Sequence, residues 1–287
     1  MSIIVFGDTI LDIFTVIDLA GQNPDQNGDK KYTMPNPKDI QIECGGALNV
    51  AENIKSMDKE ATYYGYYDKQ IKSIANSKLK QLLEIDNIRT VKRYVDRETG
   101  THLLRLDSQE QYKLLQIPSK KELENAKVLI FSDYLHGTIN SNFVSNIQNL
   151  SQAPIIIDTR NPLLWLNTKN CIFKLNKKEW ITLLREDSLQ MRSNNTFIVT
   201  DGPYPVKLYN HISKKLTSKI FVPKVNVIDT TGAGDVFVAA MAIAMTKDMS
   251  EIESVEYACS LASLSVTLLG TEKITIEYYL KHTKLSH

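Results

Sequence analysis

The stretch VIDTTGAGDVFVAAMAIAM, from Val227 to Met245, contains residues that could handle a phosphate group. Gly232 and Gly234 lack a Cβ atom, so the backbone can turn tightly there and approach a ligand closely. A helix predicted over Ala233–Met245 leaves unpaired N–H groups at its N-terminus, and these donors together with the helix dipole favour an anion. Asp235 lies in the first turn, where a carboxylate either caps the helix or takes a proton from a hydroxyl held beside the anion.

Two other glycine-rich phosphate loops do not fit this sequence. A P-loop requires G-x-x-x-x-G-K-[ST], and the chain of 287 residues contains no such pattern. A dinucleotide-binding fingerprint requires a third glycine, but Phe237 stands at that position. The loop also lies late in the chain rather than after the first strand. The sequence therefore argues against a P-loop NTPase and against a Rossmann-type oxidoreductase.

The motif DTTGAGD, followed by an apolar helix, resembles the C-terminal signature of the PfkB, or ribokinase-like, carbohydrate kinases. The resemblance implies ATP-dependent phosphorylation of a hydroxyl of a sugar or sugar phosphate. It also implies that Asp235 is the catalytic base and that the backbone of Gly232, Ala233 and Gly234 forms an anion hole. Other motifs of the family follow in the expected order: GDTILD (Gly7–Asp12), GGALNVAENI (Gly45–Ile54), NKKE (Asn176–Glu179) and VTDG (Val199–Gly202).

The acceptor side of the implied site begins at Asp12. This residue follows the first predicted strand, at the strand end where α/β sheets place ligands, and its carboxylate can accept hydrogen bonds from sugar hydroxyls. Taken alone, Asp12 would be interpreted as a solvated loop acid, and Arg105 as a solvent-facing residue of an alternating strand. The order of the motifs favours the functional role for Asp12, whereas the solvent-facing interpretation stays the default for Arg105 and contact with the substrate is its alternative. The implied substrate-binding residues are Asp12, Gly45, Gly46, Asn49, Arg105, Asp133 and Arg160.

The nucleotide side of the implied site centres on the motif NKKE. The resemblance places Asn176 near the nucleotide phosphates and has Glu179 position Mg²⁺ through water, which suits an ion that keeps several waters. The same spacing fits an N-cap asparagine with a capping-box glutamate, and both roles can hold together. The implied cofactors are ATP and Mg²⁺, with K⁺ or another monovalent cation near Asp229 and Thr231. The implied nucleotide-binding residues are Asn176, Thr200, Asp201, Gly202, Thr230, Gly232, Gly234 and Cys259.

Within the family, several motifs resemble the bacterial heptose-7-phosphate kinases, among them HLLRLD (His102–Asp107) and FSDYLHG (Phe131–Gly137). Two lysines that are usual in that group are replaced by His136 and Arg160, which are cationic or can become so and could hold an anionic sugar phosphate. Two alternatives stay open. One is a catalytically silent ligand-binding or regulatory protein on the same scaffold, suggested by Cys259 in place of a usual asparagine. The other is a kinase for a nucleoside or a vitamin.

The elements that must position these residues alternate between short apolar strands and helical patterns. This alternation predicts an α/β fold, a doubly wound and mostly parallel sheet flanked by helices, in one domain over 1–287. The predicted strands are Ile3–Phe6, Thr62–Tyr66, Val128–Phe131, Ile155–Ile157, Ile172–Leu175 and Thr196–Val199, followed by a hairpin of Val206–Tyr209 with Lys219–Val222. The predicted helices are Ala47–Met57, Ile71–Leu83, Asn142–Leu150, Lys177–Leu184, Ala233–Met245, Ile252–Leu269 and Ile276–His282.

Two segments interrupt this alternation. Phe14–Glu43 is rich in proline and polar residues, and Arg89–Asp107 alternates like two antiparallel strands joined near RETG. Both are predicted to contribute strands to a small sheet that projects as a lid; the alternative is one loop and an edge hairpin. In the family this sheet often pairs between subunits, so the resemblance also predicts a homodimer.

Composition narrows the classes of partner. The chain has 34 basic and 33 acidic residues, which gives no electrostatic reason to expect nucleic acid or an anionic membrane as partner. The longest apolar run, Val236–Met245, is too short to span a bilayer. Cys44, Cys171 and Cys259 lack the C-x-x-C spacing of zinc or redox sites and are typical of reduced thiols. With an N-terminus unlike a signal peptide, these features predict a cytoplasmic protein with a small-molecule substrate.

Overall fold

The strands of the protein form two sheets in its computed structural model, which describes residues 2–18, 36–57, 59–80, 85–165, 167–185, 194–210 and 215–283. The strands are β1 (Ser2–Gly7), β2 (Thr9–Ile17), β3 (Ile40–Gly46), β4 (Ala61–Tyr64), β5 (Lys78–Lys80), β6 (Thr90–Asp96), β7 (His102–Asp107), β8 (Ala126–Asp133), β9 (Ile155–Thr159), β10 (Cys171–Asn176), β11 (Thr196–Asp201), β12 (Tyr204–Asn210) and β13 (Lys215–Ile220).

The helices begin where the sequence offers caps or glycine turns. Asn140 accepts a hydrogen bond from the Phe143 N–H at 2.9 Å, and Ser250 forms a capping box with Glu253. The helices are α1 (Ala47–Ser56), α2 (Lys69–Ile74), α3 (Lys120–Leu123), α4 (Ser141–Gln148), α5 (Lys177–Arg185), α6 (Ala233–Thr246), α7 (Glu251–Ser265) and α8 (Ile276–Thr283). Within the described residues, no helix is both long enough and apolar enough to cross a membrane.

The main sheet has nine strands in the order β13-β12-β11-β10-β9-β8-β1-β4-β5. Seven neighbouring strands pair in parallel, in the order β11, β10, β9, β8, β1, β4 and β5, and β12 and β13 add an antiparallel edge. The predicted α/β fold with a mostly parallel sheet is therefore confirmed. Because parallel neighbours end on the same edge of the sheet, the residues that follow β8, β9, β10 and β11 gather there.

The core explains why these strands and helices hold their places. The apolar runs of β1 and β8 are buried on both faces, as expected for central strands of a covered parallel sheet. Helix α6 is apolar all round, and each of its residues from Asp235 to Ala244 is buried. It packs against α1 and α7. The N-terminus of α6, with Asp235, is therefore fixed by packing along the rest of the helix.

The small sheet has four strands in the order β3-β2-β6-β7. β2 pairs antiparallel with β3 and parallel with β6, and β7 closes the edge antiparallel to β6. This confirms the predicted second sheet, although β2 starts at Thr9 rather than within the predicted segment from Phe14. The part of that segment at 19–35 lies outside the described residues.

The predicted helix over Ile71–Leu83 is wrong beyond its first turn. Helix α2 ends at Ile74, and Lys78–Lys80 form strand β5 beside β4. The carboxylate of Glu52 explains this change, because it accepts hydrogen bonds from the N–H groups of Asn76 and Ser77 at 3.0 and 2.7 Å. A buried carboxylate thus satisfies donors that a longer helix would have used. Residues 81–83 of the prediction lie outside the described residues.

Candidate active site

A cavity of about 690 Å³ lies between the carboxyl edge of the main sheet, the start of α6 and the small sheet. Its walls bring together most of the residues singled out from the motifs. The lining residues from the predicted site are Asp12, Gly46, Arg105, Arg160, Asn176, Thr200, Thr230, Thr231, Gly232, Gly234 and Asp235. The fold therefore gathers motifs that are up to about two hundred residues apart in sequence at one edge of the sheet.

The carboxylate of Asp235 is buried at the floor of this cavity and has two donors. Asn49 Nδ2 donates to Oδ2 at 2.7 Å, and the Tyr134 hydroxyl donates to Oδ1 at 2.8 Å. Burial raises the pKa of Asp235 above its ordinary value, and the bonds from Asn49 and Tyr134 oppose that rise. An aspartate with a raised pKa and a free lone pair on each oxygen suits a general base.

The N-terminus of α6 provides the donors for an anion. Gly232 is the N-cap residue with φ of 77°, a left-handed conformation that a glycine adopts without strain. Next to it, a Cβ atom on Gly234 would lie 2.8 Å from Lys174 Nζ, so the lysine ammonium lies directly against this glycine. Lys174 belongs to β10, is buried, and pairs with Asp158 at 3.3 Å. Helix dipole, N–H groups and ammonium together make this end of the cavity strongly favourable for phosphate.

Asp12 lies on β2 where the small sheet meets the cavity. Arg93 Nε lies 3.3 Å from Asp12 Oδ1, and a Cβ atom on Gly45 would lie 2.1 Å from Asp12 Oδ2. Only a glycine at position 45 leaves room for this carboxylate. Burial raises the pKa of Asp12 to about 6, while the charge of Arg93 and its hydrogen bond lower it. Asp12 is thus a buried acceptor for hydrogen bonds next to the base.

Three arginines of the small sheet face the same cavity. Arg89 precedes β6, Arg93 lies on β6 and Arg105 lies on β7. Arg105 binds Asp107 through two hydrogen bonds of 2.6 and 2.7 Å, and Arg89 Nη2 lies 3.6 Å from the same carboxylate. Two guanidinium groups thus share one acid, so this wall of the cavity carries net positive charge. Such a wall favours an anionic ligand.

Arg160 follows β9 and reaches the cavity from the main sheet. Its guanidinium lies 4.7 Å from the ring centre of Tyr134, and Nη1 lies 3.6 Å from Glu179 Oε1. Glu179 and Asn176 form a reciprocal cap at the start of α5. The N–H of Asn176 donates to Glu179 Oε2 at 2.7 Å, and the N–H of Glu179 donates to Asn176 Oδ1 at 2.9 Å. The structural role predicted for NKKE is therefore confirmed, and Oε1 of Glu179 is directed away from the cap.

Asp229 organises the loop before α6. Its Oδ1 accepts from the Thr231 N–H and hydroxyl at 2.9 and 2.8 Å, and its Oδ2 accepts from the Gly270 N–H at 3.1 Å. His102 of β7 lies 3.4 Å from the same oxygen. Burial alone would raise the pKa of Asp229, but these hydrogen bonds and the nearby His102 hold it below its ordinary value. The carboxylate thus has protein partners on both oxygens, and a cation held by Asp229 and Thr231 stays a prediction.

Nine residues predicted for the site are not among those that line the cavity: Gly45, Asn49, Asp133, Glu179, Asp201, Gly202, Asp229, Ala233 and Cys259. Asp133 is buried under it, where Oδ2 accepts from Thr159 and Trp165, each at 2.9 Å. Cys259 is buried in the core within α7. Asp201 pairs with Lys177 at 2.8 Å, and the exposed Gly202 occupies the turn between β11 and β12. Their predicted contacts with ligands therefore stay predictions.

His136 does line the cavity, but it does not supply the expected positive charge. Burial, together with the charge of Arg89, lowers its pKa to about 4, so the imidazole is neutral near pH 7. The surroundings of His136 therefore do not favour a positive charge in place of the usual lysine. Arg89 and Arg93 carry the charge on this side instead.

Sequence reasoning missed several residues of the cavity. Lys174 stands two positions before Asn176, on the apolar strand CIFKLN, where a lysine is rare unless it is paired or functional. Tyr134 lies inside a recognised motif, FSDYLHG, but its partner Asp235 is distant in sequence. Asp8 of GDTILD does not line the cavity itself but accepts from the backbone N–H of Tyr134. Arg89 and Arg93 belong to a strand whose register cannot be known before the sheet is assembled.

Comparison with known proteins agrees with this fold. The model of the pfkB family of carbohydrate kinases matches residues 2–277. The bifunctional protein HldE of Bradyrhizobium diazoefficiens is 24% identical over 94% of this chain, and the chain spans 60% of that protein's length. A sugar kinase of Buchnera aphidicola, whose function is uncharacterised, is 24% identical over 96% of this chain and 93% of its own length. Arabidopsis thaliana ribokinase, solved with ribose and ATP, superposes with a TM-score of 0.73 over 99% of both chains at 18% identity.

The mostly parallel sheet and the small second sheet, with the superposition on ribokinase, define a ribokinase-like fold. The family match over nearly the whole chain then places it plainly: this chain belongs to the pfkB family of carbohydrate kinases. The family predicted from the motifs is confirmed. The match to HldE agrees with the predicted resemblance to heptose-7-phosphate kinases.

Proposed function

We propose that this carbohydrate kinase transfers the γ-phosphoryl group of ATP to a hydroxyl of a sugar phosphate, with Asp235 as the base. One observation carries the proposal: the lining of the cavity, which includes Asp235, contains two groups of cations from different elements. The first is Lys174 beside the N-terminus of α6, and the second is the arginines of the small sheet. A kinase that acts on a phosphorylated sugar must hold two anionic groups at once.

The base lines the same cavity as both groups of cations. Asp235 accepts a proton from the sugar hydroxyl through Oδ2, next to Asn49, and Asp12 orients the sugar by accepting from a neighbouring hydroxyl. The geometry supports this assignment because Asn49 Nδ2 lies 2.7 Å from Asp235 Oδ2 and can donate to a sugar oxygen as well. Removing the proton as the hydroxyl attacks avoids a positively charged intermediate at the oxygen.

The phosphoryl group is held by the chain at the α6 end. The N–H groups of Gly232–Asp235 and the ammonium of Lys174 neutralise charge on the transferring oxygens, and they are already in place before the reaction. Asn176 and Thr200 lie along the cavity wall on the nucleotide side. Most of the acceleration then comes from positioning and electrostatics, as is usual for phosphoryl transfer.

Glu179 fits the role of a magnesium-positioning acid. Its Oε2 is used in the helix cap, whereas Oε1 faces Arg160 at 3.6 Å and burial raises the pKa of the carboxyl. Oε1 lies outside the helix cap, so it can accept from a water held by Mg²⁺, which prefers oxygen ligands and needs few from the protein. When bound with ATP, Mg²⁺ would neutralise charge on the phosphate oxygens.

The phosphate of the acceptor is proposed to bind Arg105 and Arg89. Their shared partner Asp107 leaves one guanidinium charge without a second acid, and Arg105 is the most exposed of the cluster, at 54% of its side chain. A guanidinium that is planar and forked matches a phosphate group in two hydrogen bonds. The small sheet therefore acts as a lid that binds the sugar phosphate and keeps water from the phosphoryl group.

The test is an ADP-release screen with acceptors in matched pairs: ribose and ribose 5-phosphate, fructose and fructose 6-phosphate, mannose and mannose 6-phosphate, and sedoheptulose and sedoheptulose 7-phosphate. Heptose 7-phosphate, a nucleoside and a vitamin alcohol complete the panel. We expect turnover with a phosphorylated sugar at a KM at least tenfold below that of its neutral partner. ATP binding without ADP release for any acceptor would favour the silent scaffold instead.

A variant pair tests the acceptor contact itself. Arg105→Met should raise the KM for the phosphorylated sugar by about 10- to 100-fold, because one charge-assisted contact contributes about 1.5–3 kcal/mol. Arg97→Met is the matched control, since Arg97 lies in the same part of the chain but pairs with Asp18 and Asp39 outside the cavity. Equal effects of the two variants would contradict a phosphate site at Arg105.

We also propose that the small sheet forms a homodimer through its outer face. Strand register places Ile40, Ile42, Leu104 and Leu106 on the face opposite Arg105, and each is at least 37% exposed. An apolar face of this kind favours association. Sedimentation analysis should give a dimer for the wild-type chain and a monomer for Leu104→Asp; a monomeric wild type would contradict the proposal.

A further inference from the structure

We propose that Tyr134 is a positioning residue for the base: its hydroxyl fixes the carboxylate of Asp235 and keeps it ionised for proton transfer. This inference rests on the proposed function, in which Asp235 removes the proton of the acceptor. Tyr134 is the tyrosine of the motif FSDYLHG, and the sequence alone predicted no role for it. The bond that carries it is short and well formed, at 2.8 Å from the Tyr134 hydroxyl to Asp235 Oδ1.

The two donors of the base occupy different oxygens. Tyr134 binds Oδ1, and Asn49 binds Oδ2 at 2.7 Å. With Oδ1 held by Tyr134, the plane of the carboxylate is set and the remaining lone pair of Oδ2 is directed where the acceptor hydroxyl would lie. Without Tyr134 the carboxylate could rotate about its Cβ–Cγ bond and lose that alignment, since χ2 of aspartate is broad.

Tyr134 can only be a donor in this pair. Burial and the nearby Asp235 charge raise the pKa of its hydroxyl well above the ordinary value, so it stays protonated near pH 7. The guanidinium of Arg160 lies 4.7 Å from the ring centre and restricts the ring from one face. The tyrosine therefore presents a fixed O–H to the carboxylate.

The loop that carries Tyr134 is built around a second carboxylate. Asp8 is fully buried and accepts hydrogen bonds from the N–H groups of Tyr134, His136 and Thr138 at 2.8, 3.1 and 3.3 Å. It also accepts from the Thr138 hydroxyl at 2.6 Å. Between these donors, Leu135 has φ of 66°, which is strained for a leucine. The chain thus stabilises an unfavourable turn at the point that directs Tyr134 at the base.

The charges around Asp235 determine the sign of the expected effect. A base must be ionised to act, so activity rises with pH through its pKa. Loss of a donor destabilises the carboxylate and moves that rise to higher pH. The other charged or titratable groups near Asp235 stay unchanged in the variant below: Asp12 on β2, Asp158 on β9, Arg160 after β9, Lys174 on β10 and Lys273 before α8.

The experiment compares Tyr134→Phe with Tyr66→Phe in the full chain. Tyr66 is a buried tyrosine whose hydroxyl donates to the Lys113 carbonyl at 3.0 Å outside the cavity, so its loss removes one hydrogen bond without reaching the base. Carbon-13 NMR of protein labelled at the aspartate carboxyl carbon follows the titration of Asp235, identified as the signal that disappears in Asp235→Asn. Thermal unfolding confirms that both variants fold.

We expect the pKa of Asp235 to rise by about one unit in Tyr134→Phe and to stay unchanged in Tyr66→Phe, because one hydrogen bond to a charged group is worth about that much. With the best acceptor of the ADP-release screen, the acid limb of kcat/KM should move by the same amount, and kcat should fall more than KM changes. An unchanged pKa in folded Tyr134→Phe overturns this inference. Because the titration requires no acceptor, it remains decisive even if the proposed sugar phosphate is not turned over.

Discussion

Replacing Gly234 by alanine separates the stability of α6 from the chemistry at its N-terminus. Gly234 lies inside the first turn of the helix, so alanine suits its backbone and should leave the free energy of unfolding unchanged or higher by up to about 1 kcal/mol. The new Cβ atom would lie 2.8 Å from Lys174 Nζ and 3.7 Å from Cε. Since the contact is with the far end of a flexible side chain, the lysine moves and the fold does not.

The displaced ammonium is the source of the expected loss. Loss of one preorganised donor to a reacting anion costs about 10²–10³ in rate, or about 3–4 kcal/mol of transition-state stabilisation. Gly234→Ala should therefore lower kcat/KM by about that factor in the ADP-release measurement. The methyl group also occupies space that the phosphoryl oxygens would use.

Gly232→Ala is the matched comparison. Its φ of 77° costs an alanine about 1–2 kcal/mol, and its Cβ would lie 3.0 Å from Thr271 Cγ2 and 3.1 Å from Asn49 Nδ2. This variant should lose both activity and stability, measured by urea unfolding. Wild-type kcat/KM in Gly234→Ala, or a loss of stability equal to that of Gly232→Ala, would refute the reasoning about Lys174.

Two further predictions concern acids of the proposed site. Asp12 has a pKa of about 6 in the folded protein against 3.8 in the unfolded chain, so between these pH values the folded protein binds more protons and its stability falls as pH rises. In urea unfolding, the free energy of unfolding of Asp12→Asn should therefore rise by up to about 3 kcal/mol relative to that of wild type between pH 3.5 and 7.5. A difference that stays constant over this range would contradict the burial argument. Glu179→Gln keeps an oxygen for the helix cap but loses the negative charge. Its thermal stability should therefore equal that of wild type, while the Mg²⁺ concentration for half-maximal activity rises about tenfold. An unchanged Mg²⁺ requirement would exclude this acid from metal positioning.

The sequence predicts the main architecture because periodicity and local signals decide it. The apolar runs of β1, β8 and β9 could only be covered strands, and the capping pattern of NKKE defines the start of α5. The helix beyond Ile74 was predicted wrongly because its end depends on Glu52, which is more than twenty residues away in sequence. Such long-range hydrogen bonds override local propensity and leave no periodic signal.

The same distinction explains what was predicted of the site. The motifs that contain Asp235, Gly232 and Asp12 indicate the chemistry by the spacing of their own residues. Lys174 and Tyr134 act through partners on other elements, so their roles depend on register and on the packing of the sheet. His136 was expected to be a cation because of its residue type, but its burial makes it neutral near pH 7.

The most direct test of the account is Asp235→Asn, measured for both turnover and ATP binding. The variant keeps the size of the side chain and the N-terminus of α6, so the Kd for ATP should stay within about threefold of wild type. Turnover of the acceptor found in the screen should fall by about 10²–10⁴, the usual contribution of a general base. Asp18→Asn serves as the control, because Asp18 is an exposed acid that pairs with Arg97 and does not line the cavity. Near-wild-type ADP release from Asp235→Asn would contradict the assignment of Asp235 as the base.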